Sequence, residues 1–271
     1  MLAMLAFAGN SLLCRAALKS TAIDAASFTA IRIGAGALAL WFIVRARDGA
    51  SGSVGSWGSA AALFAYAAAF SYAYLSLSAA TGALLLFGAV QTTMIAVGLW
   101  RGERLAARQV AGLVGALAGF VGLLLPGLSA PPWLGALLMA GAGVAWGIYT
   151  LRAKGAGDPL QVTAGNFLRA CAFAGGLALA ALPWSSLDPA GIGYAVASGA
   201  LASGVGYAIW YTALRGLPVT SAATVQLSVP VIAALGGVAR LGEPITLRLV
   251  VASAAILGGI ALVIVGKTPA R

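Results

Sequence analysis

The chain of 271 residues has few charges, no histidine and only two cysteines. Charged residues make up 8% of the chain and hydrophobic residues 61%, whereas about a quarter of an average soluble chain is charged. So few charges cannot cover a water-soluble globule, which excludes a soluble enzyme, a nucleic-acid-binding protein and a disordered chain. The lack of histidine removes the commonest general base and metal ligand. The composition therefore indicates a membrane protein.

Apolar stretches of about 20 residues, the length that crosses a bilayer, fill the chain and leave no room for a soluble domain. Asp158 and Asp188, each followed by proline, stand where helix N-caps are expected, and Asp24 can cap a helix in the same way. We predict an all-α integral membrane protein with ten transmembrane helices at residues 1–18, 24–44, 56–77, 79–99, 106–125, 132–151, 159–182, 190–214, 219–239 and 246–266.

The basic residues predict how the spans are oriented. If the N-terminus is cytoplasmic, the inside loops and tail carry ten of the 16 basic residues and the outside loops four, which favours both termini in the cytoplasm of a bacterial inner membrane. Arg15 arrives early, so either the first helix runs to about Leu18 with Arg15 snorkelling, or the natural N-terminus extends further. A cleaved signal peptide is not favoured, because there is no basic n-region.

The two halves of the chain resemble each other. Arg32 matches Arg169 at an offset of 137 residues, and Glu103 matches Glu243 at an offset of 140. The change of offset implies one insertion of three residues in the second half, between the two matched segments. We predict two repeats, 1–128 and 129–271, that form one transmembrane domain. Five spans in each repeat invert the second relative to the first, and inverted repeats are typical of secondary transporters.

Two such repeats, each with Gly-Glu before its last helix and an arginine in its second helix, resemble the drug/metabolite transporter superfamily, most closely its EamA-type branch. The segment from Tyr207 through Pro230 to Glu243 is close to that branch's pattern, and the resemblance covers essentially the full chain. Within the branch, the chain looks most like the YddG-type exporters of aromatic and other amino acids. The resemblance implies ten helices around a cavity lined by helices one, three, four, six, eight and nine.

The halves also differ at positions that such a cavity would use. Gly9 stands where the second repeat has Trp146, and Val90 stands where it has Pro230. We therefore do not expect strict symmetry of the site residues.

No acidic residue is expected inside the membrane. All six acids fall in loops or at helix ends, whereas proton-driven transporters usually place a carboxylate or histidine in the interior. We therefore predict facilitated movement down the substrate's own gradient. The same scarcity excludes the histidine, aspartate and zinc sites of intramembrane enzymes. We expect no enzyme activity, no metal, no other cofactor and no disulfide.

Glu103 and Glu243 each follow a turn glycine and precede a helix, where a carboxylate accepts from free N–H groups and opposes the helix dipole. This favours a structural role with Arg108 or Arg248 as partner, and a gating latch is the alternative.

Arg32 and Arg169 lie well inside their spans, where a guanidinium needs carbonyls, an acid or water. Structural pairing is favoured, because the second helix of each repeat is expected to be peripheral. Contact with a substrate carboxylate is the alternative.

Aromatic residues at helical spacing form a candidate pocket that suits planar or apolar side chains. Such stripes also occur in packing and in interfacial belts, and Tyr74 and Trp133 are candidates for a belt. The pocket residues are Tyr66 and Phe70 on span three, Trp146 and Tyr149 on span six, and Tyr207, Trp210 and Tyr211 on span eight.

Uncharged polar residues can bind the ammonium and carboxylate groups of an amino acid, although an amide can also join two helices. The candidates are Asn10, Ser11, Gln91, Gln226 and Ser228.

Pro230 interrupts span nine and leaves the Gln226 carbonyl without its usual donor. The helix should bend there, either as a static kink or as a hinge for opening the cavity.

The leading hypothesis is an inner-membrane exporter of amino acids, including aromatic ones, that works by alternating access. Its partners are the small-molecule substrate and the lipid bilayer, with no nucleic acid. The alternatives are export of drugs or other small metabolites on the same fold, a channel-like pore, or a membrane scaffold that transports nothing.

Overall fold

The computed structural model describes residues 1–48, 54–102, 104–125, 127, 130–153, 157–214 and 225–265. All regular secondary structure in these ranges is helical, which confirms the all-α prediction. The helices are α1 (Leu2–Ser20), α2 (Ala25–Asp48), α3 (Trp57–Tyr74), α4 (Ala79–Trp100), α5 (Ala107–Leu124), α6 (Trp133–Ala153), α7 (Pro159–Ala180), α8 (Pro189–Val196), α9 (Gly206–Leu214), α10 (Ser228–Leu241) and α11 (Leu247–Val265). A π-helical segment, Ala197–Val205, joins α8 to α9, so these three pieces form one eighth span.

Eight of these spans are long and apolar enough to cross a membrane. The other two are α10, with 14 residues, and α3, whose tyrosines and serines lower its hydropathy. Many large apolar side chains on the outer faces of the bundle are exposed, including Val114 and Val121 of α5 and Val251 of α11. An apolar outer surface of this kind suits contact with lipid.

Carboxylates begin several helices as the sequence predicts. Asp158 accepts hydrogen bonds from the Leu160 and Gln161 N–H groups, and Arg47 donates to it at 2.9 Å. Burial acts to raise the pKa of Asp158, but its hydrogen bonds and the Arg47 charge outweigh burial and hold that pKa below its usual value. Asp24 caps α2 through the Ala26 and Ser27 N–H groups.

The helices pack in pairs that follow the correspondence between the two halves. α5 packs against α11, and α2 packs against α7, so equivalent helices meet. α3 packs against α6, and its counterpart, the eighth span, packs against α1. α4 also packs against α6, as α10 packs against α1. Inverted repeats predict such exchanged pairs, and the division of the chain into two repeats stays a prediction.

Small residues allow the close contact between α6 and α4. A Cβ placed on Gly143 would lie 2.6 Å from the Leu86 carbonyl oxygen, and one on Gly147 would lie 2.9 Å from the Thr93 Cβ. The Gly143–Gly147 pair therefore brings these two backbones together. A Cβ on Gly115, by contrast, would meet no atom within 4 Å.

The ninth span is interrupted near the predicted position. Val225 and Gln226 are helical, Leu227 forms a turn, and α10 begins at Ser228. Pro230 is the third residue of α10, where its missing N–H removes no bond within that helix. The break therefore precedes the proline, and whether it acts as a hinge stays a prediction.

Candidate functional site

The aromatic residues of three spans meet in the interior of the bundle. Trp146 of α6 lies 4.7 Å from Tyr66 of α3 and 5.3 Å from Tyr207 of α9, measured between ring centroids. The rings of Trp146 and Tyr207 are stacked, with 20° between their planes, and Trp146 also stacks on Tyr149. Trp146 is only half-buried, whereas Tyr66, Tyr149 and Tyr207 are buried.

We call this group the aromatic cluster. Two of its members, Phe7 of α1 and Phe167 of α7, are absent from the sequence prediction and contact the Tyr207 ring. The stripe spacing does not identify them, because each is a single aromatic residue on its helix face. The cluster comprises Phe7, Tyr66, Phe70, Trp146, Tyr149, Phe167, Tyr207 and Trp210.

The predicted stripe on α3 continues away from Trp146. Phe70 lies 5.4 Å from Tyr66 and 4.7 Å from Tyr74. Tyr74 is fully buried and its hydroxyl reaches the Ala79 carbonyl, so the interfacial-belt interpretation of Tyr74 is wrong. The side chain of Tyr211 lies outside the described part of the chain.

Polar side chains form a network along one side of the aromatic cluster. Ser198 Oγ donates to Asn10 Oδ1 at 2.6 Å, and Asn10 Nδ2 donates to the Tyr66 hydroxyl at 3.2 Å. Arg32 Nη2 donates to the same hydroxyl at 2.9 Å. We call these four residues the Tyr66 network. It joins α1, α2, α3 and the π-helical segment.

Ser198 is missing from the sequence prediction. The π-helical segment brings it to Asn10, and a Cβ on the next residue, Gly199, would collide with the Arg32 carbonyl oxygen. The small-residue composition of Ala197–Val205 allows this close contact, and π-helical turns occur frequently at functional sites. That small-residue composition is the only sequence signal that could have indicated the contact between Ser198 and Asn10.

The other predicted polar residues are not hydrogen-bonded to this network in the described part of the chain. Ser11 and Gln91 are buried, and Gln226 and Ser228 are half-buried. Their role in binding stays a prediction.

Arg32 lies in the interior and is not peripheral. Its side chain is 2% exposed, and its guanidinium carbon lies 4.8 Å from the centre of the Phe70 ring and 5.3 Å from that of Tyr66. The equivalent Arg169 has a different environment, in which Nη1 donates to the carbonyls of Val54 and Gly165. The expected carbonyl pairing therefore holds for Arg169, whereas Arg32 faces aromatic rings.

One end of the bundle is tied together by an ion pair. Arg15 Nε donates to Glu243 Oε1 at 3.0 Å, and the other carboxylate oxygen accepts from the Ala79 N–H at 2.8 Å. Arg15 Nη1 also donates to the carbonyls of Tyr74 and Leu75. We call this set the Arg15–Glu243 clamp. It connects α1, the α3–α4 turn and the α10–α11 turn.

The clamp corrects two predictions. Arg15 does not snorkel, because α1 continues to Ser20 and the guanidinium turns into the protein. Glu243 pairs with Arg15 and caps α4, whereas the sequence suggested pairing with Arg248 and capping of its own following helix. Arg248 donates instead to the Leu125 carbonyl. Glu103 lies outside the described residues.

The halves differ at the site as expected. A Cβ on Gly9, the counterpart of Trp146, would meet no heavy atom within 4 Å. Trp146 itself contacts three aromatic rings. The aromatic cluster is therefore asymmetric between the two halves of the chain.

Comparisons with known proteins agree with this architecture. The model of the EamA-like transporter family matches residues 133–265. The uncharacterized protein PA1977 of Pseudomonas aeruginosa is 62% identical over 264 residues, which cover 97% of this chain and 92% of that protein. A solved crystal structure with 22% identity has the same fold, with a TM-score of 0.66 over 97% of this chain and 96% of that chain. The chain belongs to the EamA-like transporter family and is a multi-pass membrane transporter of small molecules.

Proposed function

We propose that this transporter exports amino acids, including aromatic ones, across a bacterial inner membrane by alternating access. Both termini are cytoplasmic in this proposal, because that orientation places most basic residues inside. Residues 1–128 and 129–271 are the two repeats that move relative to each other. The proposed site lies where the repeats meet, near the middle of the spans.

The observation that carries the proposal is the position of Trp146 beside the Tyr66 network. An amino acid has a side chain that can stack on aromatic rings and a polar end that needs hydrogen bonds. The half-buried Trp146 ring offers the first, and it lies 4.7 Å from the Tyr66 ring. Tyr66 in turn belongs to the hydrogen-bonded network with Asn10 and Ser198. Aromatic contacts favour planar cargo beyond the effect of area alone.

The position of the acids supports facilitated transport. Asp24, Asp158 and Asp188 are N-caps, and Glu243 lies in the turn between α10 and α11. Each of these four carboxylates accepts a backbone hydrogen bond at a helix end. In the described residues no carboxylate lies mid-span, where a proton carrier would be expected.

Alternating access needs an element that closes one end of the bundle at a time. The Arg15–Glu243 clamp holds three parts of the chain together at one end. We propose that this clamp forms when that end of the bundle is closed and breaks when it opens.

Efflux from proteoliposomes tests the proposal. Vesicles containing the purified protein are loaded with labelled Trp, Phe, Thr or Met, and efflux is measured with and without a pH gradient, with protein-free vesicles as the control. We expect saturable efflux, fastest for the aromatic substrates and unchanged by the pH gradient. Movement of a planar cationic drug but of no amino acid would refute the proposal that amino acids are the cargo. Strong dependence on the pH gradient at fixed substrate gradient would refute facilitated transport.

A further inference from the structure

The buried guanidinium of Arg32 has hydrogen-bonding capacity that the described residues do not use. Its Nη2 donates to Tyr66, but its Nη1 is buried and has no hydrogen-bond partner in the described ranges. Those ranges also offer Arg32 no ion pair, since the carboxylates of Glu243 and Asp158 pair with Arg15 and Arg47. A positive charge in an apolar interior is costly unless an anion or acceptors compensate it.

The neighbours of Arg32 fix its orientation without neutralising it. The Phe70 and Tyr66 rings lie against the guanidinium at 4.8 and 5.3 Å, and aromatic faces attract a cation but accept no strong hydrogen bond. The Nη1 side of the guanidinium therefore remains available. A planar group with two acceptor oxygens matches such an edge, which is why arginine recognises carboxylates.

Tyr66 provides a second donor beside Arg32. Its hydroxyl oxygen accepts from both Asn10 and Arg32, so its own hydrogen is directed elsewhere, and no hydrogen bond from it to another described residue is formed. A phenol can accept and donate at once. The Tyr66 network thus presents donors from two residues, with a net positive charge, directly beside the aromatic cluster.

The equivalent arginine, Arg169, shows that a guanidinium without a partner for Nη1 is not a general feature of the fold. Arg169 occupies the same place in the second repeat, and its Nη1 donates to two backbone carbonyls. The protein can therefore satisfy an arginine at this helix position with its own backbone. At Arg32, no described backbone carbonyl accepts a hydrogen bond from Nη1.

We infer that Arg32 is the receptor for a carboxylate group of the transported substrate. The guanidinium binds one or both carboxylate oxygens through Nη1, the Tyr66 hydroxyl donates to the same group, and the rest of the substrate extends towards Trp146. This inference rests on the proposed function for the location of the site, and it narrows the cargo to molecules that carry a carboxylate. Amines and amides that lack one are poor ligands.

A ligand series tests the inference on the wild-type protein. Isothermal titration calorimetry of the purified full chain measures Kd for L-tryptophan, indole-3-propionate, tryptamine and L-tryptophanamide, which share the indole ring. We expect the two carboxylates to bind at least about tenfold more tightly than tryptamine and the amide, the loss expected for a hydrogen bond to a charged group. Similar Kd values for all four would overturn the inference and leave amino-acid transport standing.

Two variants assign that preference to a residue. Arg32→Gln should reduce the ratio of amide Kd to tryptophan Kd from about ten or more to about one, and Arg32→Lys should retain part of it. Arg169→Gln is the matched control, and its ratio should equal that of wild type even if the protein is less stable. If Arg32→Gln does not fold, the wild-type series alone decides.

The remaining outcomes separate the two proposals. Binding of indole-3-propionate without binding of any amino acid would support the carboxylate receptor and refute the amino-acid exporter. Failure of both carboxylates to bind would overturn the receptor. Chloride binding that Arg32→Gln abolishes, without any preference for carboxylates, would also overturn it, because the charge would then be compensated by a resident inorganic anion.

Discussion

Removing the charge of Glu243 should open the end of the bundle that the Arg15–Glu243 clamp closes. The Glu243 side chain is 7% exposed and that of Arg15 is 15% exposed, so solvent screens their interaction only weakly. Glu243→Gln retains the shape of the side chain but loses the charge that both Arg15 and the Ala79 N–H contact.

The expected size of the effect follows from these contacts. Hydrogen bonds to a charged group contribute about 1.5–3 kcal/mol net. If that free energy is lost only in the closed state, the open fraction rises by roughly 10- to 150-fold. Closed protein should still predominate where the wild-type open fraction is below about 0.5 per cent.

Cys14 is a native reporter of this opening. It is fully buried on α1, one turn from Asn10 on the same face and next to Arg15 in sequence. In a Cys171→Ser background, labelling of Cys14 by N-ethylmaleimide should be slow, and it should accelerate with the open fraction when Glu243→Gln is added. Circular dichroism at the labelling temperature checks that the variant remains folded.

Matched variants distinguish the clamp from a general loss of stability. Lys19→Gln removes a surface charge that contacts the Leu241 carbonyl at the same end, and it should change the labelling rate by less than about threefold. Arg15→Gln should act like Glu243→Gln, and the double variant should exceed neither single variant by much. A labelling rate for Glu243→Gln within threefold of wild type would refute the clamp.

Three further predictions concern the aromatic cluster, the ninth span and pH. Trp146→Ala should raise KM for tryptophan by about tenfold through lost ring contacts, with little change for threonine. The control is Trp133→Ala, which alters a side chain that is 72% exposed. Pro230→Ala should change turnover more than equilibrium binding of tryptophan, and unchanged transport would exclude a hinge. Asp158→Asn should destabilise the protein at pH 7 by about 0.5–2 kcal/mol, because the amide keeps the cap but loses the charge that faces Arg47 and the helix dipole. Because the folded pKa of Asp158 is lowered, this difference should be full above about pH 4 and disappear as pH falls through the folded pKa. A difference in Tm that persists at acid pH would contradict that prediction.

Much of the fold can be predicted from the sequence, because the membrane imposes simple rules. A span must be apolar and about 20 residues long, and its ends collect the charges. Helix caps such as Asp158 involve neighbours two or three residues away, so a local pattern reveals them. The aromatic stripe on α3 follows from helical periodicity alone.

The parts that sequence reasoning missed depend on contacts between distant segments. Arg15 and Glu243 are 228 residues apart, and nothing near either residue indicates the other. Ser198 reaches Asn10 only because the helix widens into a π-helical segment there. The environment of Arg32 depends on how α2 packs against α3, so periodicity could place the arginine in a span but could not give it a partner.

Counterflow of tryptophan tests the central claim of a carrier for amino acids most directly. Proteoliposomes loaded with millimolar unlabelled L-tryptophan are diluted into buffer that contains a trace of labelled L-tryptophan, with no pH gradient. A carrier that alternates its access should concentrate the label inside transiently, above its equilibrium level, and protein-free vesicles should not. Entry that rises only to equilibrium would indicate a pore, and no entry at all would contradict amino-acid transport by this protein.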